Sequence, residues 1–451
     1  MMRIELAESK RFTRLLQDRY GLGSIPEIRG ITIDSRKARA GDLFVPIVGS
    51  RADGHDFASE AMEAGAVAVM VERDISPLAP PAVVIKVADN IRELGALAQV
   101  WRQMYQPRVV AITGSNGKTT TKNLVVGILA MKYKVLGTEG SYNSTISLPL
   151  TLLRIGQKNE IAVLELGSNR PGEIAYLARL AQPEVGLITN VSEAHVVNLK
   201  NKEGVIREKA ALFKALPPDG TAVVNVDDPA IARMETPAWR YTYGFDRPAD
   251  VTGRYEEAAP GGVLVVGTEL RIRLPQAGAH LAANALAAVA IAERFEVTPE
   301  EIKEAIEGFT PPPGRGEILH FNGVTVIDDS YNANLASTLA GLETLLHLPS
   351  EGRRIAVIGD MLELGRFSEE HHRLVGEFAA ARGIDLMLCY GPETRGTYCT
   401  ALSAGMEAHH YGDKSELSYT LAQTVAAGDV VYVKGSRGMA METVIKEVFN
   451  R

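Results

Sequence analysis

The chain has 451 residues, of which 46% are hydrophobic and 23% charged. These are ordinary globular values that exclude a disordered, collagen-like, coiled-coil or polytopic membrane chain, and the length suggests roughly three domains. Lys and Arg total 48 against 55 Asp and Glu, a net charge of −7, which argues against a general nucleic-acid binder and leaves any phosphate-bearing ligand to local groups.

From the N-terminus, the first sixteen residues mix charged and apolar positions and lack the apolar core of a signal peptide. Strands are predicted at residues 31–33, 43–45 and 66–71, with a helix over 56–64. A second helix, 91–104, leads to Pro107 and the apolar run 109–113. The first domain boundary falls between residues 85 and 107. Further strands are expected at 161–165, 185–190 and 221–225, and a helix at 281–294. The apolar stretch 281–292 is too short to span a bilayer and contains Asn284.

Pro311-Pro312-Pro313-Gly314 can continue neither a helix nor a central strand, so it reads as a hinge. Beyond it, strands are expected at 324–327, 354–358, 386–389 and 430–433, with a helix at 336–346. Alternating strand and helix signals give an α/β protein with largely parallel sheets. The domains are placed at residues 1–105, 106–310 and 311–451. Cys389 and Cys399 form no C-x-x-C pair and fit free thiols in a reducing cytoplasm.

The strongest local signal is Thr113-Gly-Ser-Asn-Gly-Lys-Thr-Thr120 between a strand and a helix. Gly114 and Gly117 let backbone N–H groups of the loop, which also holds Ser115 and Asn116, turn inward on phosphate oxygens, and the helix start adds its positive end. Lys118 can reach terminal phosphates, and the Thr119 hydroxyl can ligate Mg²⁺. Two residues separate the glycines where the standard phosphate loop has four, so this is a shortened variant.

Glu165 ends a strand at the crevice where parallel sheets bind ligands, and could ligate Mg²⁺ or be a solvated acid. His195 follows the next strand and could bind a metal or be structural. By spacing alone, Lys209 is an exposed lysine of an amphipathic helix. Residues 328–334 form a polar cluster that either holds a ligand or caps a helix. Lys434-Gly-Ser-Arg437 and Pro313-Gly-Arg315 offer anion corners or ordinary turns.

Together these motifs resemble the Mur ligase family, whose phosphate loop is shortened in the same way. Leu164 to Ile174, Asp328-Asp-Ser-Tyr-Asn-Ala-Asn334, Gly359-Asp-Met-Leu-Glu-Leu-Gly365 with His371 and His372, and Val433-Lys-Gly-Ser-Arg437 narrow the resemblance to the branch that adds D-alanyl-D-alanine. Asp34-Ser35-Arg36 and Gly41-Asp-Leu-Phe-Val45 through Phe57 resemble that branch's UDP-substrate domain. The resemblance covers nearly the whole chain in order.

It implies three α/β domains: a small UDP-substrate domain, a central P-loop-type ATPase domain with a parallel sheet, and a Rossmann-like C-terminal domain. The implied reaction joins D-alanyl-D-alanine to UDP-N-acetylmuramoyl-tripeptide through an acyl phosphate, using ATP and two Mg²⁺ ions. Thr119 and Glu165 would hold one ion, His195 would help hold the other, and Lys209 matches the family's carbamylated lysine. Gly114 through Thr120, Asn284, Arg315 and Asp329 would bind ATP. Asp34, Ser35, Arg36, Asn143, Ser144, Thr145, Asn332, Asn334, Lys434 and Arg437 would face the substrates. A cytoplasmic monomer acting on small molecules is implied, with no nucleic acid and no membrane insertion.

The chain departs from the family pattern at His280-Leu281, where His-Asn is frequent, at Ser144-Thr145 and Ser147, and at Val196–Lys200 after His195. Two other readings compete. One is a sibling amide ligase, either the one adding the third residue or an amidating enzyme of cofactor synthesis. The other is a nucleotide-binding module that no longer ligates, against which Lys118, Glu165, His195 and Lys209 all speak.

Overall fold

The computed structural model describes residues 3–49, 52–78, 82–192, 199, 201–258, 261–276 and 278–449. Three sheets follow one another along the chain. In the first, Arg3–Glu5, Gly30–Thr32, Asp42–Phe44, Ala68–Val71 and Val83–Lys86 lie side by side in chain order. Its first pair is antiparallel and the rest parallel.

The central sheet has nine strands. From one edge they are Val135–Gly137, Ile161–Glu165, Arg108–Thr113, Val185–Ile188, Thr221–Asn225, Trp239–Gly244, Val251–Glu256, Val263–Val266 and Leu270–Arg273. The first seven are parallel, and the last two add as an antiparallel meander. The expected parallel sheet therefore holds for the first seven strands and is incomplete beyond Glu256. There Val263–Val266 and Leu270–Arg273 are only four residues each, and short antiparallel hairpins carry no crossover helix to announce them.

The third sheet runs Glu317–Phe321, Val324–Asp329, Val430–Lys434, Arg354–Gly359, Leu386–Tyr390 and Glu407–Tyr411. Only its first pair is antiparallel. Strand positions agree with the sequence reading to within a residue or two. The run at 185–190 stops as a strand at Ile188, because Thr189 and Asn190 turn to the phosphate loop.

Burial explains the helices. Helix Ala279–Glu293 is buried along almost its whole length, and its alanines let it lie close against helix Lys118–Ala130, whose Leu124, Val125, Ile128 and Leu129 face the same core. Helix Asn90–Tyr105 joins the first sheet to the central one: Trp101 is fully buried and its Nε1 donates to Ile155 O at 2.8 Å. The Pro311–Gly314 segment is tied to the third sheet, since Gly316 N donates to Asp328 O and Tyr331 N to Gly314 O. Cys389 is buried, Cys399 is exposed, and both are free. Among the described residues, no helix is long and apolar enough to cross a membrane.

In the central sheet, strand Arg108–Thr113 lies between Ile161–Glu165 and Val185–Ile188, so chain order reverses on either side of it. A crevice opens at such a switch point beyond the carboxyl ends of the strands. The third sheet has the same device at Val430–Lys434, and the two openings meet in one cavity of about 650 Å³.

Candidate active site

The phosphate loop forms one wall. Its two glycines are sterically required. Gly114 has φ +145°, and a Cβ there would lie 2.0 Å from Thr189 Oγ1. Gly117 has φ +76°, and its Cβ would lie 2.2 Å from Asn284 Oδ1. Both are left-handed conformations in which a side chain would also collide.

The loop is stitched to the segment after strand Val185–Ile188. Ser115 N donates to Asn190 O and Asn116 N to Asn190 Oδ1, each at 3.0 Å. Thr189 Oγ1 donates to Asn116 O at 2.6 Å, and Ser192 N to Ser115 Oγ at 2.9 Å. The amides of Ser115 and Asn116 are thus engaged inside the protein. The amides left to face an anion are those of the first helical turn, Lys118 to Thr120, which have no intrahelical acceptor.

Lys118 Nζ donates to Ser115 O at 2.9 Å. Burial pushes its pKa down, Glu165 pulls it back up, and Arg315 pushes it further down. Glu165, buried at its strand end, is held from both sides: Thr119 Oγ1 donates to Oε2 at 2.8 Å and Asn143 Nδ2 to Oε1 at 2.7 Å. Thr138 Oγ1 accepts from the Glu165 amide at 3.1 Å. A carboxylate and a hydroxyl in contact beside the start of helix Lys118–Ala130 are hard oxygen donors, a set that suits Mg²⁺.

Spacing alone placed Lys209 on an exposed helix face; it is 3% exposed. Helix Lys202–Lys214 turns it inward against the cleft, where Nζ donates to Ser168 Oγ at 2.9 Å. Burial lowers its pKa to about 7, the Lys118 charge acts the same way, and Glu208, Glu173 and Glu165 act against them. The neighbouring Glu208 accepts from Gly172 N and Ile174 N, both at 2.7 Å, and so fixes helix Glu173–Ala181 against the same wall.

The opposite wall comes from the third sheet. Asp329 Oδ2 receives Lys434 Nζ at 2.5 Å and Tyr432 OH at 3.1 Å. Lys434, 1% exposed, also donates to Asn332 O at 3.0 Å. Arg437 pairs with Glu442 at 2.9 Å. The 434–437 corner is therefore not an open pair of cations, since each already has an acidic partner. In the 328–334 cluster, Asn334 caps helix Leu335–His347 through Ser337, as the capping reading had it, and its Nδ2 reaches Asn116 Oδ1 across the cavity at 2.6 Å.

One cavity gathers most of the expected residues: Ser115 to Thr120, Asn143, Ser144, Glu165, Lys209, Asn284, Arg315, Asp329, Asn332, Asn334 and Lys434. Asn284 Oδ1 accepts from Thr121 Oγ1 at 3.2 Å and flanks the loop at Gly117. Gly114, Thr145 and Arg437 are not in the lining, and His195 and residues 196–198 and 200 lie outside the described residues.

Asp34, Ser35 and Arg36 are elsewhere. Asp34 caps the turn Ser35–Lys37 and pairs with Arg36 at 2.8 Å, while Ser35 donates to Glu60 at 3.1 Å. Arg36 opens on a second cavity of about 690 Å³ between the first and central sheets, with Arg3, Arg39 and Arg154.

Two sequence departures acquire local reasons. Leu281 is buried in the core behind the cavity, so no polar contact arises there. Ser147 opens helix Ser147–Leu152 and exchanges hydrogen bonds with Ser144, at 3.0 and 3.3 Å through the backbone amides. The sequence reading missed Ser168, Asn190, Tyr243 and Gln276 as lining residues, whereas Tyr331 lies in the polar cluster it had marked. Ser168 and Asn190 each follow a crevice strand by two or three positions, which is the one signal that pointed to them.

Family models match in three blocks: "Mur ligase family, catalytic domain" over residues 27–102, "Mur ligase middle domain" over 112–292, and "Mur ligase, glutamate ligase domain" over 314–437. The UDP-N-acetylmuramoyl-tripeptide–D-alanyl-D-alanine ligase of Escherichia coli (strain K12) is 36% identical over 427 residues, covering 92% of each chain. The ligase of that name from Bacillus subtilis (strain 168) is 33% identical over 431 residues, covering 93% of each. A crystal structure of MurF from Acinetobacter baumannii superposes with a TM-score of 0.88 at 30% identity, covering 97% of this chain and 98% of that one. MurF from Thermotoga maritima in complex with ADP gives 0.81 at 27% identity, covering 93% and 97%.

Proposed function

The chain belongs to the Mur ligase family, and from that membership we propose that it joins D-alanyl-D-alanine to UDP-N-acetylmuramoyl-tripeptide at the expense of ATP. It is a three-domain α/β ligase of peptidoglycan synthesis. The observation that carries the reaction is the meeting of Lys118, the Thr119–Glu165 pair and the buried Lys209 in the cavity that the third sheet closes. The sibling readings lose ground because the relatives matched over nine-tenths of the chain bear the D-alanyl-D-alanine name.

A carboxylate is a poor electrophile, so the tripeptide carboxylate first attacks the γ-phosphorus of ATP, giving an acyl phosphate and ADP. The free amine of D-alanyl-D-alanine then attacks the acyl carbon, and phosphate leaves from the tetrahedral intermediate. The helix-start amides and Lys118 hold the phosphates and offset charge that builds during transfer. Thr119 and Glu165 would hold one Mg²⁺; His195 and a carbamate on Lys209 would hold a second. Bound there, the ions would supply charge neutralisation at phosphoryl oxygens. A carbamate turns the Lys209 cation into an oxygen donor, and an amine titrating near 7 is available to form one. Asn284, Arg315 and Asp329 flank the nucleotide. Asn143, Ser144 and Thr145 belong to the acid-substrate segment, and Asn332, Asn334, Lys434 and Arg437 to the amine side. Asp34, Ser35 and Arg36 hold the UDP end.

The domains run 1–105, 106–310 and 311–451, with Pro311–Gly314 as the hinge whose closure excludes water. The enzyme works as a cytoplasmic monomer on small molecules. The test is phosphate release from ATP and Mg²⁺ with the tripeptide (lysine and diaminopimelate forms) and D-alanyl-D-alanine, each substrate omitted in turn, with the product weighed by mass spectrometry. Release that needs both substrates, with a pentapeptide mass, supports the assignment. No product with either tripeptide, from protein that still binds ATP, refutes it.

A further inference from the structure

Tyr331 has no part in the chemistry above, yet three groups of the cleft meet on it. Its hydroxyl donates to Ser141 Oγ at 2.5 Å, across 190 positions of sequence. The Arg315 guanidinium lies over its ring, 4.1 Å from the centroid, and that of Arg437 lies 5.7 Å away. Its amide donates to Gly314 O at 3.0 Å, which fixes where the ring leaves the backbone beside the hinge. Ser141 is two residues before Asn143, whose amide holds Glu165.

We infer that Tyr331 is a positioning residue that links the nucleotide side of the cleft to the acid-substrate side. A guanidinium on a ring face is confined to a plane, whereas a free arginine stem samples many rotamers, so the ring preorganises Arg315 toward the cavity. The hydroxyl bond is weak by itself at an open mouth. It joins two sheets across a hinge, however, and so biases the closed form over the open one by its whole free energy. The segment from Ser141 to Ser144 is thereby held against the third sheet when the cleft is closed. This inference rests on the ligase reading for its substrates.

Four variants test it: Tyr331→Phe keeps the ring and loses the latch, Tyr331→Leu loses both, Ser141→Ala removes the acceptor, and Tyr331→Phe is combined with Ser141→Ala. Two quantities are read: KM for the UDP-linked tripeptide, and ADP affinity by calorimetry, which needs no turnover. Tyr331→Phe and Ser141→Ala should each raise that KM about fivefold with ADP affinity unchanged, and the double variant should be no worse than either single. Tyr331→Leu should in addition weaken ADP binding by about five- to tenfold. An unchanged KM in Tyr331→Phe, or additive effects in the double variant, overturns the latch. Unchanged ADP affinity in Tyr331→Leu overturns the ring's role. Wild-type protein lacking two-substrate turnover would refute the ligase reading instead, while the ADP titrations would still judge the ring.

Discussion

Asn334 reaches across the cleft to Asn116, Nδ2 to Oδ1 at 2.6 Å, while its own Oδ1 caps helix Leu335–His347 by accepting from Ser337 N at 3.0 Å. One side chain therefore starts a helix of the third sheet and touches the phosphate loop. The two duties separate chemically. Asn334→Asp keeps the cap acceptor and loses the donor, so its melting temperature should stay close to wild type while KM for ATP rises. Asn334→Ala loses both and should also cost about 1 kcal/mol of stability. Equal ATP KM in wild type and Asn334→Asp would show that the cross-cleft bond plays no part.

Glu165 is held by Thr119 and Asn143. Glu165→Gln preserves shape but removes the charge, so kcat should fall by about two orders of magnitude and half-saturation by Mg²⁺ should move to higher concentration. Thr119→Val should move the Mg²⁺ requirement in the same direction. A Mg²⁺ titration of initial rates is the check; an unmoved midpoint in both variants would remove this pair from the metal site.

The Lys209 amine, lowered to about 7 by burial and by Lys118, is largely neutral above that pH and charged below it. Only the neutral amine attacks carbon dioxide. Carbamate formation should therefore increase as pH rises through about 7 and be lost below it. With ¹³C-labelled bicarbonate, a carbamate carbon resonance should appear at pH 8, shrink at pH 6, and be missing in Lys209→Arg. The same resonance in the variant would place the carbamate elsewhere.

Lys434 is almost wholly buried, and Asp329 is its acidic partner at 2.5 Å. Breaking a buried pair leaves one charge uncompensated. Because Asp329 is itself partly open to the cavity, Asp329→Asn should cost about 2–3 kcal/mol in chemical unfolding. Asp329→Asn combined with Lys434→Met should recover part of that loss without recovering ATP turnover. A single variant as stable as wild type would mean that water or Asn332 already satisfies the ammonium.

Much of this architecture was legible in the chain. Strands such as 161–165 and 430–433 are continuous apolar runs because both of their faces are covered, and that pattern is local. Where burial is one-sided the reading weakened. Of the four strands between Trp239 and Arg273, three carry exposed, charged positions, and Val263–Val266 is only four residues long. Helix Ser9–Tyr20, with only Phe12, Thr13 and Leu16 buried, went unassigned.

The phosphate loop was determined by the sequence itself, since two left-handed glycine positions, a helix start and a lysine interact within eight residues. The remaining features of the site required tertiary structure. Spacing marked Lys209 as a solvated lysine; its burial, its contact with Ser168 and its lowered pKa come from a wall 41 positions away in sequence. The Asp329–Lys434 pair joins residues 105 positions apart, and Tyr331 meets Ser141 across 190. A linear pattern carries backbone geometry and local amphipathicity. Desolvation and charge pairing depend on what the fold brings near, and only the packed molecule decides that.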